Sequence, residues 1–150
     1  ADVDRVREAF DASEMALLEL EDRARREGWF GEPRYWQALR DMRQTLRTDL
    51  GDERFDLLLY ASGRRNRVVV KDLLDGSPAQ RAGLETGDEI LSYGEGGRIF
   101  RAGELKYQTT LGRSGERVAI EVLRDGHRER LWVPRGPLGI YLTEERRPPP

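Results

Sequence analysis

The sequence contains no cysteine, a single histidine and two methionines among its 150 residues. Without cysteine there is neither a disulfide framework nor a thiolate nucleophile, and the redox compartment is left open. The one histidine, His127, follows an Asp-Gly turn, where a solvated side chain is expected rather than a base or a ligand. Zinc-ligand spacings are absent, and the acids never take the alternating order of a calcium loop. Ser62 in Ala-Ser-Gly and Ser114 in Arg-Ser-Gly fit no nucleophile elbow and have no motif-matched base. The pairs Glu53/Asp56 and Glu19/Asp22 share helix faces, but in a chain that is 36% charged such pairs are solvated. The reading is therefore non-enzymatic, with no catalytic residue, no metal and no cofactor. Positive charge is not in excess either: 26 Lys and Arg face 28 Asp and Glu, for a net charge of -2. That balance argues against nucleic acid, which is bound through clustered cations. No apolar run is long enough to span a bilayer, so any signal segment or membrane anchor is expected upstream of this chain.

What is present divides into a helical third and a strand-rich remainder. Val3, Val6, Phe10, Leu17, Leu20 and Ala24 recur at spacings of three and four, with Ser13 in the one polar slot, which predicts a helix over Asp2 to Gly28 with a narrow apolar stripe. That stripe either packs inside a helical hairpin or serves self-association as a homodimer through this N-terminal helix. Trp29, Phe30, Tyr35 and Trp36 cluster around the connection and read as the core of a helix–helix corner or as a partner-binding patch. Pro33 starts a second helix carrying Trp36, Leu39, Met42, Leu46 and Leu50, and Asp52 is placed to cap a short third one with Phe55, Leu58 and Leu59. Short connections make these helices antiparallel neighbours.

A polar, glycine-containing boundary at Ala61 to Asn66 precedes the β-branched run Val68-Val69-Val70. The expected domains are residues 1–63, helical; 66–143, a second domain; and 144–150, a disordered Pro-rich tail. The second domain is organised around Gly76 to Leu91. Ser77 suits a helix cap, Pro78 the first helical position and Gly83 the left-handed residue past the end, after which Glu89 to Tyr93 resumes as a strand. A helix over Ala102 to Leu111 follows, then alternating Val118, Ile120 and Val122, an Asp125-Gly126 hairpin turn, and a return strand at Glu129 to Val133.

The segment Ser77-Pro78-Ala79 … Ala82-Gly83-Leu84 … Gly87-Asp88-Glu89-Ile90-Leu91 resembles the corresponding corner of bacterial PDZ domains, and the resemblance extends from about Asn66 to Leu142. It implies an α+β fold, an N-terminal helical hairpin followed by a PDZ-like partly open β-sandwich with two helices. It also implies a non-catalytic protein-interaction module of the bacterial cell envelope, periplasmic and membrane-tethered where an anchor lies outside this chain, that binds partner C-terminal peptides or an edge strand by strand addition. The alternatives are a structural adaptor acting through its helices with the groove blocked, and a regulatory fragment of an envelope protease. By the same resemblance the peptide site comprises Arg135, Gly136, Pro137, Leu138, Gly139 and Ile140, with Arg135 assisting a terminal carboxylate, against Glu104, Tyr107, Gln108 and Leu111 of the long helix. The alternative for 136–140 is an ordinary closing turn and final strand. In the family this loop precedes the strand that leads into the corner, whereas here it comes last, so the domain would be circularly permuted. Phe55 to Tyr60 is a candidate to supply or cover the ligand-binding edge. A Gly139→Val substitution is expected to spare the fold and abolish binding.

Overall fold

A computed structural model describes residues 2–150 of the chain, which forms two compact units meeting at Ser62 and Gly63. The first is helical. Helix α1 (Asp2–Glu27) has acids in its first turn and Arg25 and Arg26 in its last, matching the helix dipole, and stops at Gly28 with φ +81°. Helix α2 (Pro33–Leu50) opens on Pro33, and α3 (Asp52–Ala61) follows after Gly51 alone. Asp52 does not cap α3. Gly51, at φ +81°, holds the cap position, and Asp52 is the first helical residue, 3.3 Å from Arg47 Nε.

Two small cores fasten the helices. Val6, Ala9 and Phe10 pack with Leu46, Leu50, Phe55 and Leu58, while Leu20 and Ala24 pack with Trp29, Tyr35 and Leu39. From Val6 onward, the members of the α1 stripe that join these two cores are therefore used within the unit. Of the four clustered aromatics, Trp29 and Tyr35 are buried with ring centroids 6.3 Å apart, whereas Phe30 and Trp36 pack on Tyr35 but stay partly exposed. Among the described residues no helix is long and apolar enough to cross a membrane.

The second unit is a five-stranded antiparallel sheet with two short helices. Its elements are β1 (Arg67–Leu73), α4 (Pro78–Ala82), β2 (Glu89–Tyr93), α5 (Ala102–Gln108), β3 (Arg117–Arg124), β4 (His127–Pro134) and β5 (Ile140–Glu145). The strand order is β4-β3-β2-β1-β5. Alternation puts Val68, Val70, Val118, Ile120, Val122 and Val133 on one face, and a register shift between Ile90 and Ser92 brings both Ile90 and Tyr93 onto it. Ala79 of α4, Leu84 just after it and Leu105 of α5 close that core. Corner chemistry follows the residue types: Ser77 Oγ accepts from Gln80 N at 3.2 Å, and Gly83 sits at φ +99°. Asp125 and Gly126, both at positive φ, make the tight β3–β4 turn.

Two expectations change. The segment Phe55 to Tyr60 lies in α3 and supplies no strand. The end of the chain is held as far as Pro148: β5 runs to Glu145, the Asn66 side chain donates to Arg147 O at 2.7 Å and accepts from Arg147 N at 2.8 Å, and Arg67 Nη2 donates to Pro148 O at 3.2 Å. A buried amide that matches a backbone N–H and C=O together is reason enough for order there.

Candidate functional site

Strand β5 pairs with β1 on one side only and is an edge of the sheet. Leu74 N donates to Gly139 O at 2.9 Å, which makes Leu73 and Ile140 a non-hydrogen-bonded pair. The N–H and C=O of Ile140 therefore point away from β1, toward the open edge. Just before the strand, Ala79 N donates to Leu138 O at 3.1 Å, while the N–H groups of Leu138 and Gly139 meet no acceptor among the described residues. Gly139 stands at φ +75°, and a Cβ there would lie 2.5 Å from Ser77 Cβ. Glycine is thus required twice over, by backbone conformation and by the approach of the α4 cap. A Gly139→Val change strains the corner itself, so it does not spare the fold. The loop's contribution is a set of backbone donors beside apolar Leu138 and Ile140, an arrangement suited to an anion such as a carboxylate.

Helix α5 runs antiparallel to β5. Its start meets the strand's end, where Ala102 N donates to Glu144 Oε2 at 3.0 Å, and its buried Leu105 joins the core that holds Ile140 and Leu142. With Leu105 turned to the core and Gln108 toward Gly96, 100° per residue sets Ala102, Lys106 and Thr109 on the flank of the helix away from Gln108. The four helix residues named from sequence fall elsewhere. Glu104 accepts from Phe100 N and Arg101 N and closes a capping box. Gln108 lies across Gly96, on the β2 side of the helix. Tyr107 points outward at 63% exposure, and Leu111 lies beyond the helix end. The helix is shorter than its apolar pattern because Thr109 and Thr110 turn their hydroxyls back onto Lys106 O and Tyr107 O at 2.7 and 2.6 Å. The phase of the helix shows only in the structure, where Leu105 is its one buried position.

Arg135 is not free to meet a carboxylate. Its guanidinium pairs with Glu116, donates to Gln108 O at 2.8 Å, and lies 5.5 Å from the Tyr93 ring centroid. The pairing holds the Glu116 carboxyl below its usual range. Burial pushes the Tyr93 hydroxyl upward, offset in part by the Gly136 backbone N–H and by the Arg135 charge. Arg135 thus pins the end of α5 beside the approach to the loop, and Pro137 has no N–H to give. Among the described residues no group of acids or histidines is arranged to hold a metal.

An open edge strand beside a helix, preceded by a loop of free amides, is the arrangement expected of a peptide-binding fold, and comparison with known families matches a PDZ domain over residues 55–134. The chain belongs to the PDZ domain family. A PDZ domain is a protein-interaction module without catalytic machinery of its own. The family match stops before Pro137, so the loop and β5 lie outside it, yet β5 sits next to β1 in the sheet. Among curated proteins, the chain is 37% identical over 74 residues to a probable periplasmic serine endoprotease DegP-like of Marinomonas sp. (strain MWYL1), covering 49% of this chain and 16% of that protein. A second protein so named, of Pseudomonas savastanoi pv. phaseolicola (strain 1448A / Race 6), is 36% identical over 71 residues, covering 47% and 15%. The similarity thus spans under a fifth of each relative's length.

Proposed function

We propose that this PDZ domain binds the C-terminal end of a partner polypeptide as an added strand on β5. The terminal carboxylate would sit on the N–H groups of Leu138 and Gly139, and the ligand's inward side chains would lie between Ile140 and Leu142 on one side and Ala102, Lys106 and Thr109 on the other. The observation that carries this reading is the free edge of β5 beside α5 with unpaired loop amides at its start. With Arg135 engaged, Lys106 is the cation best placed along the wall. The relatives' names place them in the periplasm, which supports a cell-envelope location here, whether or not an upstream anchor tethers the chain. Their being serine endoproteases supports a second reading, in which the domain reads substrates for an envelope protease.

The test acts on the ligand rather than on Gly139. Short hydrophobic-ended peptides are titrated against the whole chain with a free and an amidated C-terminus. Binding that needs the free carboxylate is the expected result. Equal binding of both forms removes the loop from the mechanism, and no binding of either favours an adaptor that works through its helices.

A further inference from the structure

Away from the groove, the sheet face opposite the core carries a built cationic–aromatic feature. On β3 and β4, Ala119 pairs with Trp132, Arg117 with Pro134 and Glu121 with Arg130, so along the strands Arg117 and Arg130 stand on either side of Trp132. Their guanidinium carbons lie 4.4 and 5.2 Å from the indole centroid. Trp132 nevertheless remains 44% exposed. The two cations straddle the ring by up to about 10 Å, a geometry in which each keeps an open side.

Helix α1 carries a face of opposite character. Asp4, Glu8, Asp11, Met15, Leu18 and Glu19 are all exposed and fall within an arc of about 100° at helical spacing. This is not the stripe that packs in the helical cores. Met15 and Leu18 are 54% and 60% exposed, and Asp11 and Glu19 bracket them about 12 Å apart along the helix. Among the described residues, Glu8, Asp11 and Glu19 take part in no ion pair, and neither do Arg117 and Arg130, although salt bridges are frequent elsewhere on the surface.

We propose that these two faces are partners between copies of this chain: the Met15/Leu18 patch of one copy covers Trp132 of another, with Asp11 and Glu19 meeting Arg117 and Arg130. The match is in sign, in spacing and in the apolar centre of each face. Contact of two different surfaces on identical chains either closes reciprocally as a dimer or continues head to tail. Apolar burial supplies affinity, and the charges set pairing and make it salt-sensitive.

The experiment is sedimentation equilibrium of the whole chain over a concentration series. The expected result is reversible self-association at low salt that weakens at least tenfold as salt approaches about 1 M, where the Debye length is roughly 3 Å. Two doubly reversed variants, D11R/E19R and R117E/R130E, should each be monomeric alone and associate when mixed, because mixing restores opposite charge across the contact. All four positions are exposed, and a cooperative melt checks that each variant is folded. A wild-type chain that stays monomeric at low salt overturns the proposal. So does association that survives in the separate variants, or a mixture that fails to restore it. Trp132→Ala gives an independent arm through the apolar centre, with weaker association expected and unchanged association counting against it.

Discussion

Asp88 is almost wholly buried, and Arg124 reaches its two carboxylate oxygens through Nε and Nη2, both at 2.7 Å. The same guanidinium donates to Gly83 O at 2.8 Å, and Asp88 Oδ2 accepts from Glu85 N at 2.9 Å. One ion pair thus ties the α4 corner to the far end of β3, and the bond to Asp88 is the chief reason the Arg124 pKa lies above its ordinary value. Without Asp88 the guanidinium keeps Gly83 O, Glu85 and Glu129, but Glu85 N loses its acceptor, so Asp88→Ala is expected to cost about 1 to 3 kcal/mol, measured by urea unfolding. A loss below about 1 kcal/mol would mean that water replaces the pair at no cost. Tyr93 gives a pH-dependent counterpart. Its folded pKa is raised by burial above the ordinary 10.0, so the stability it contributes is intact below pH 10 and is lost as pH rises through the folded value. Melting temperatures followed from neutral pH to above pH 10 should fall less steeply for Tyr93→Phe than for the wild type. Identical alkaline slopes would remove Tyr93 from that loss.

At the scale of the element, α5 separates two roles that the sequence runs together. Glu104 caps the helix and Lys106 lies on the opposite flank, the one we propose lines the groove, so substitutions at the two should dissociate. Glu104→Ala is expected to cost about 1 kcal/mol of stability, as lost caps do, with peptide affinity little changed. Lys106→Glu should leave stability within about 0.5 kcal/mol and weaken carboxylate-ended peptides several-fold. Calorimetry of unfolding together with peptide titration distinguishes the pair, and a reversed pattern would put Glu104 back in the groove. The α4 corner was legible in the sequence because each of its signals is local: Ser77, Pro78 and Gly83 do in the structure what their residue types dictate. The phase and length of α5 were not. They depend on which helix position meets the β5 side of the core and on two threonines choosing backbone carbonyls over the helix. The engagement of Arg135 was not legible for a similar reason, since its partners Glu116, Gln108 O and Tyr93 come from three separate segments.

For the whole molecule, the order of the strands along the chain matters more than the family match implies. That match ends at Pro134, but the core does not: Leu138 is buried, and Ile140 and Leu142 pack against the same cluster as Val70 and Leu105. These three lie at the C-terminal end, so a chain ending at Pro134 would keep the matched segment and lose the partner of β1. Burying a large apolar side chain is worth about 1.5 to 3 kcal/mol. Three of them, with the β1–β5 ladder, amount to much of the roughly 5 to 15 kcal/mol that holds a domain together. The shortened chain is therefore expected to lose the cooperative thermal transition of the sheet unit, read by near-ultraviolet circular dichroism, where Trp132 and Tyr93 report on that unit. A chain ending at Glu145 should keep the transition at a lower midpoint, because it retains β5 while forfeiting the Asn66–Arg147 and Arg67–Pro148 bonds and the ion pairs of Arg147 with Glu89 and Glu145. Full cooperativity in the chain ending at Pro134 would show β5 to be an accessory strand, and the groove proposed on its edge would then rest on an element the fold does not need.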